Sequence, residues 1–198
     1  MKKNLAKYIS NILNQFLISF IIIILLTFES TNSISEALKW ILISVALSVL
    51  PVLIVVIYLV RIHKLDGVFI NPRRQRYKIY LLASTMAVIG CVIMLVSGAP
   101  RLLLATFIAG LAAIFTFMFI NLIWKISLHT AFIAASVTIL TIVYGLTGAW
   151  TVVLLPLVAW ARIKLKLHSP AQVVAGTLLA TAIVVIVFAG FGMLSGLN

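Results

Sequence analysis

The sequence predicts an all-α fold, a polytopic transmembrane helical bundle of about six to seven spans, and three observations carry that prediction. The chain of 198 residues is 64% hydrophobic with a mean hydropathy of +1.28, which leaves too few polar side chains to cover a water-soluble surface. Its apolar residues fall into long runs, and each crossing of a bilayer consumes roughly 20 residues. No linker or low-complexity segment interrupts these runs, so a single integral membrane domain is expected over residues 1–198.

The runs extend from Ile9 to Phe28, Ala37 to Val60, Ile79 to Val96, Leu102 to Trp124, Ala131 to Leu146, Ala149 to Trp160 and Val173 to Leu194. Five are long enough to span. The pair between Ala131 and Trp160 is short and is broken by Gly145 and Gly148, and reads as two tilted or incomplete helices. Lys2, Lys3 and Lys7 ahead of the first run raise the alternative of a signal peptide. That run is too long and no small-residue cleavage site follows it, so a retained span is expected. Trp124, Trp150 and Trp160 near segment ends read as interfacial belt residues. "SGAPR", Ser97 to Arg101, reads as a tight turn.

Charge narrows the functional classes. Net charge is +12, and the three acids, Glu29, Glu36 and Asp66, form no cluster in the sequence. Mg²⁺ and Ca²⁺ sites need clustered carboxylates, and the single cysteine, Cys91, offers neither a disulfide nor a thiolate metal site. No metal or cofactor is therefore expected, and chemistry on an anion has to rely on fixed cations and proton transfer. Such a charge implies an anionic partner, and in a bilayer phosphate headgroups are nearest. Nucleic acid is disfavoured, because the basic residues sit in short loops without a recognition-helix or aromatic-stacking pattern. Oligomeric state stays open.

Seven crossings place 13 of the 15 Lys and Arg on one membrane face, with Lys39 and Arg101 opposite. The positive-inside rule makes that face cytoplasmic. The same face collects His63, His129 and His168. His129 in "WKISLHTAF" and His168 in "RIKLKLHSPAQ" each precede or open a helix, where unpaired N–H groups and the helix dipole favour phosphate. In the second stretch Ser169 suits an N-cap, Pro170 the first helical position, and Gln172 the third position of a capping box. Singly, each of these residues fits an ordinary interfacial role; as a set they converge on a phosphate site. His63, at a span end beside Arg61 and Lys64, reads as interfacial.

Arg162, five residues, His168, three residues, Gln172 resembles the third signature of the type 2 phosphatidic acid phosphatase superfamily, which ends in aspartate. "KISLH" is similar to that family's second signature, Pro-Ser-Gly-His, with Ser127 and His129 matching and Lys125 standing where proline is usual. A slipped first signature runs from Lys64 through six residues to Asn71-Pro72, followed by Arg73, Arg74 and Arg76. The three stretches cover about the last two-thirds of the chain.

The resemblance implies a phosphatidic-acid-phosphatase-like bundle and a metal-independent lipid phosphate phosphatase. His168 would be the nucleophile that forms a phosphohistidine, and His129 the general acid. Arg162, Lys125, Ser127, Lys64 and one or two of Arg73, Arg74 and Arg76 would hold the phosphoryl oxygens. Gln172 departs from the family's aspartate: it can orient the histidine through its carbonyl, or serve only as a helix cap, and it brings no charge. Asp66 can substitute for that charge or pair with Lys64, Arg61 or a nearby arginine. The substrate expected is a lipid phosphate or polyprenyl (di)phosphate. The alternatives are a carrier of anionic lipid and a catalytically silent relative.

Overall fold

The structure is a computed structural model that describes residues 1–68 and 72–194. All regular structure among the described residues is helical, in the order α1 (Lys2–Ile12), α2 (Gln15–Ser30), α3 (Ile34–Leu47), α4 (Val49–Arg61), α5 (Arg73–Val96), α6 (Arg101–Ile123), α7 (Leu128–Tyr144), α8 (Leu146–Ala149), a 3₁₀ turn (Trp150–Val153), α9 (Leu154–Lys164) and α10 (Pro170–Gly190). Five helical stretches are long and apolar enough to cross a membrane: Ile34–Arg61, Arg73–Val96, Arg101–Ile123, Leu146–Lys164 and Pro170–Gly190. A sixth is added if α1 and α2 count as one bent span. The described residues thus have the architecture of a multi-pass integral membrane protein, with five or six candidate spans where six to seven were expected.

Two expectations about individual spans need correction. The run from Ile9 to Phe28 is not one helix, because α1 and α2 meet at a 43° bend. The cause is Asn14, whose side-chain carbonyl accepts the N–H groups of Phe16 and Leu17 while its amide donates to the Asn11 carbonyl. An asparagine used this way ends one helix and caps the next. The second correction concerns residues 131–164. Gly145, at φ +59 and ψ −136, takes a conformation that a side chain disfavours and ends α7. A side chain at Gly148 would run into the Leu140 carbonyl. Beyond this corner α8, the 3₁₀ turn and α9 continue as one stretch of 19 residues that is long enough to span. The 17 residues of α7 reach only about 25 Å, short of a hydrocarbon core of about 30 Å.

The chain groups into two compact units, Met1–Ser19 with Lys125–Asn198, and Phe20–Trp124. In the second unit α5 and α6 pair antiparallel across the Gly98 turn. Gly98 is left-handed (φ +67), and the Gly98 and Ala99 N–H groups close back on Leu95 and Met94, a Schellman ending. Arg73 donates to the Leu122 carbonyl at 2.8 Å, and Asn121 returns a bond to the Arg73 carbonyl at 3.2 Å. Pro51 near the start of α4 explains the break after Leu47, because proline cannot donate to the preceding turn.

In the first unit α7 and α10 run parallel. Thr130 Oγ1 meets the Val173 carbonyl and Thr138 Oγ1 meets Thr181 Oγ1, both pairs 43 residues apart in sequence. A constant offset is the mark of parallel neighbours. Both helices therefore start at one end of the unit, and α9, running the other way, delivers its carboxyl end there. α1 packs on α9.

Candidate functional site

The shared end of α7, α9 and α10 gathers six of the residues singled out in the sequence: Lys125, Ser127, His129, Arg162, His168 and Gln172. Backbone and side chain tie these starts together. The Ser127 N–H donates to the Gln172 carbonyl at 3.3 Å, and Lys125 Nζ donates to the Leu167 carbonyl at 2.8 Å. Thr130 Oγ1 bonds the Ser127 carbonyl at 3.1 Å. Close approach is possible because α10 presents Gly176: a Cβ there would stand 2.8 Å from the Ser127 carbonyl oxygen.

Burial sets these side chains apart from ordinary interfacial ones. Arg162 is 3% exposed, His129 4% and His168 6%, and Ser127 is fully buried. Arg162 sits in the last turn of α9, which closes with a Schellman pattern: Lys166 N–H donates to the Ile163 carbonyl and Leu167 N–H to the Arg162 carbonyl. Lys166 takes the left-handed conformation, φ 56, usually given to glycine. The turn throws the chain back over the helix end and sets His168 directly ahead of the α10 N-cap.

The α10 start is the capping box expected from its sequence. Gln172 N–H donates to Ser169 Oγ at 3.3 Å, and Ser169 N–H donates to Gln172 Oε1 at 3.2 Å. The same Oε1 lies 3.1 Å from His168 Nδ1. This dual contact decides a tautomer. A backbone N–H can only donate, so the Gln172 atom facing Ser169 is its carbonyl oxygen. Nδ1 facing that oxygen must then carry a hydrogen, and in the neutral ring the lone pair is on Nε2. Capping and ring orientation, two separate options in the sequence, are met by one side chain.

Electrostatics favour an anion here. Lys125 and the buried Arg162 stand at the shared helix ends, while every acidic side chain of the chain falls in the second unit. The parallel starts of α7 and α10 each add a partial positive charge of roughly half a unit. Ser127 Oγ, fully buried, has no hydrogen-bond partner among the described residues. A hydroxyl in that state costs about 1–3 kcal/mol unless something supplies a bond.

Comparison of the chain with family models, with curated proteins and with solved structures gave no match.

The remaining sequence candidates lie in the second unit. Arg73 is committed to the Leu122 carbonyl. Lys64 and Arg74 are exposed, and Arg76 is buried in the first turn of α5 beside Tyr80. Asn71, part of the slipped first signature, lies outside the described residues. Asp66 is held by Gln75, which donates to Oδ2 at 3.3 Å and accepts the Asp66 N–H at 3.5 Å. This replaces the expected pairing with Lys64 or Arg61. Among the described residues, no three His, Cys, Asp or Glu side chains come together as ligands for a metal would.

Two contributors escaped sequence reasoning. Ser10 of α1, 2% exposed, accepts a 2.8 Å hydrogen bond from Arg162 Nη1. Gly176 permits the approach of α10 to Ser127. Gly176 follows Gln172 by one helical turn, a spacing that could have flagged it; nothing local to Ser10 points 152 residues ahead.

Proposed function

We propose that the first unit is a phosphohydrolase centre acting on a lipid phosphate or polyprenyl (di)phosphate. The observation that carries this reading is the His168–Gln172–Ser169 arrangement, which leaves Nε2 of a buried histidine with its lone pair at the start of α10. A histidine meant only to cap a helix or meet headgroups needs no such fixed tautomer. The resemblance to the type 2 phosphatidic acid phosphatases adds the roles.

Phosphate is held by Arg162, Lys125 and the Ser127 hydroxyl, with the starts of α7 and α10 adding their dipoles. The Nε2 lone pair of His168 attacks phosphorus. As the N–P bond forms, the bond from phosphorus to the departing lipid oxygen breaks, and protonated His129 gives that oxygen its proton. Water then attacks the phosphohistidine, returning a proton to His129 and breaking the N–P bond. The products are the dephosphorylated lipid and inorganic phosphate. Gln172 keeps the ring turned but leaves its developing positive charge without a carboxylate partner, which predicts slower chemistry than an aspartate would give. We assign the basic end to the cytoplasmic side by its lysines and arginine; labelling of an Ala171→Cys variant in a Cys91→Ser background from either side of sealed vesicles checks this.

The deciding experiment is phosphate release by purified protein in detergent with EDTA present, on a prenyl diphosphate and a phosphatidate. Release that is lost in His168→Ala supports the reading. Lipid binding that survives in His168→Ala and fails in Arg162→Ala, without release in either, would replace it with a carrier of anionic lipid.

A further inference from the structure

The amino-terminal helix has three sides. At 100° per residue, Ala6 and Ser10 face α9 and are buried. Leu5, Tyr8 and Ile12, spaced i, i+3 and i+7, form a second side and are exposed. Lys3, Asn4, Lys7 and Asn11 make the third, also exposed. The second side is large and apolar, yet the helix as a whole carries three lysines and no acid among its 11 residues. That polarity makes the hydrocarbon core costly for the helix, and the open stripe makes bulk water costly. A helix with both properties lies in the plane of a membrane surface, its apolar stripe at the acyl boundary and its lysines among headgroups. Each lysine near an anionic surface adds attraction of about fivefold in partition. The break at Asn14 turns α1 by 43° from the axis of α2, so α1 need not continue the direction of α2.

The side of α1 turned to the protein carries Ser10, whose hydroxyl holds Arg162 at 2.8 Å with both residues buried. We propose that α1 is a surface helix seated on anionic lipid headgroups, and that this seating positions Arg162 through Ser10, so that turnover responds to the charge of the surrounding membrane. The seating stands on α1 alone; its effect on turnover rests on the phosphohydrolase reading. Ser10 is a positioning residue for the guanidinium.

The test uses full-length protein in phosphatidylcholine vesicles with or without phosphatidylglycerol. An environment-sensitive fluorophore on Tyr8→Cys, in a Cys91→Ser background, reports seating. Its emission should shift to the blue when phosphatidylglycerol is present, and Lys2→Gln, Lys3→Gln and Lys7→Gln together should remove the shift. Identical emission in both vesicles would overturn the seating. Release from a short-chain phosphatidate should rise with phosphatidylglycerol in wild type and stay flat in the lysine variant, whose rate in detergent is unchanged. Ser10→Ala should lower kcat/KM about tenfold and abolish the response to lipid charge, Ser10→Thr should restore both, and adding the lysine changes to Ser10→Ala should cost nothing more. A blue shift with turnover indifferent to lipid charge would overturn the coupling and leave the seating. A blue shift with no release under any condition would overturn the phosphohydrolase reading, and the coupling with it.

Discussion

The chain has two basic regions, and the denser one is the less promising. Between Arg61 and Lys78 the second unit carries six cations, whereas the shared end of α7, α9 and α10 carries four, Lys125, Arg162, Lys164 and Lys166. In the first region Arg61, Lys64, Arg74 and Lys78 are exposed, and an acid, Asp66, is at hand. In the second, Arg162 and two histidines are buried in a unit without a carboxylate. The histidines repeat the contrast. His63 is itself the left-handed residue of a Schellman ending, with its N–H on Val60 and the Lys64 N–H on Leu59, and is exposed. His168 follows a similar ending by two residues, is buried, and has a partner that fixes its ring. Cation density marks where a helix leaves the membrane; burial together with an orienting partner marks where chemistry is possible.

Substitution at the histidines gives the largest effect and the quickest way to break this contrast. His168→Ala should lower phosphate release about 10⁴-fold or more, while His63→Ala leaves it within a factor of two of wild type, roughly the scatter of surface changes. Equal losses would mean that burial is no guide. Next come the cations. Arg162→Ala should cost about 10²-fold in kcat/KM, with Arg162→Lys recovering only part because a point charge replaces a fork. An equal loss in Arg74→Ala would bring the exposed region into the chemistry. Gln172 offers a gain instead: Gln172→Glu keeps the capping box and adds a charge opposite Nδ1, so kcat should rise severalfold, whereas Gln172→Ala should lower it about tenfold.

The packing glycines compare the units more gently. Gly176→Ala would press a Cβ against the Ser127 carbonyl at 2.8 Å, while Gly90→Ala in the second unit meets the Phe107 ring at 2.9 Å. A backbone carbonyl held by Thr130 cannot swing aside as a ring can. Gly176→Ala should therefore cost about 1–3 kcal/mol and lower the melting temperature in detergent more than Gly90→Ala does. The smallest effect is stabilising. Lys166→Gly removes a side chain from the left-handed region, a gain of about 1 kcal/mol, and should raise the melting temperature slightly without changing turnover.

The apolar helices and the helix starts beside His129 and His168 were legible in the sequence because both depend on short-range features. Hydrophobic length reports a crossing, and the "HSPAQ" stretch states its own helix start through Ser169, Pro170 and Gln172. The first run misled because hydropathy registers the apolar neighbours of Asn14 and ignores a side chain that competes for backbone bonds. Asp66 misled because charge suggested an ion pair where Gln75, nine residues on, offered both a donor and an acceptor. Ser10 was invisible for a different reason: its value comes entirely from a partner on another helix.

That partner arrives late. Ser10 and Arg162 are 152 residues apart, and at ordinary elongation rates the ribosome needs roughly 8 to 30 s to travel from one to the other. Throughout that interval α1 exists while the helix it packs against does not, and the unit that takes in residues 1–19 cannot close until residues beyond 125 are made. The amino-terminal helix therefore has to be stored during biogenesis, and a lysine-rich helix with one greasy stripe has a holding place in the surface of the bilayer into which the rest of the chain is being inserted.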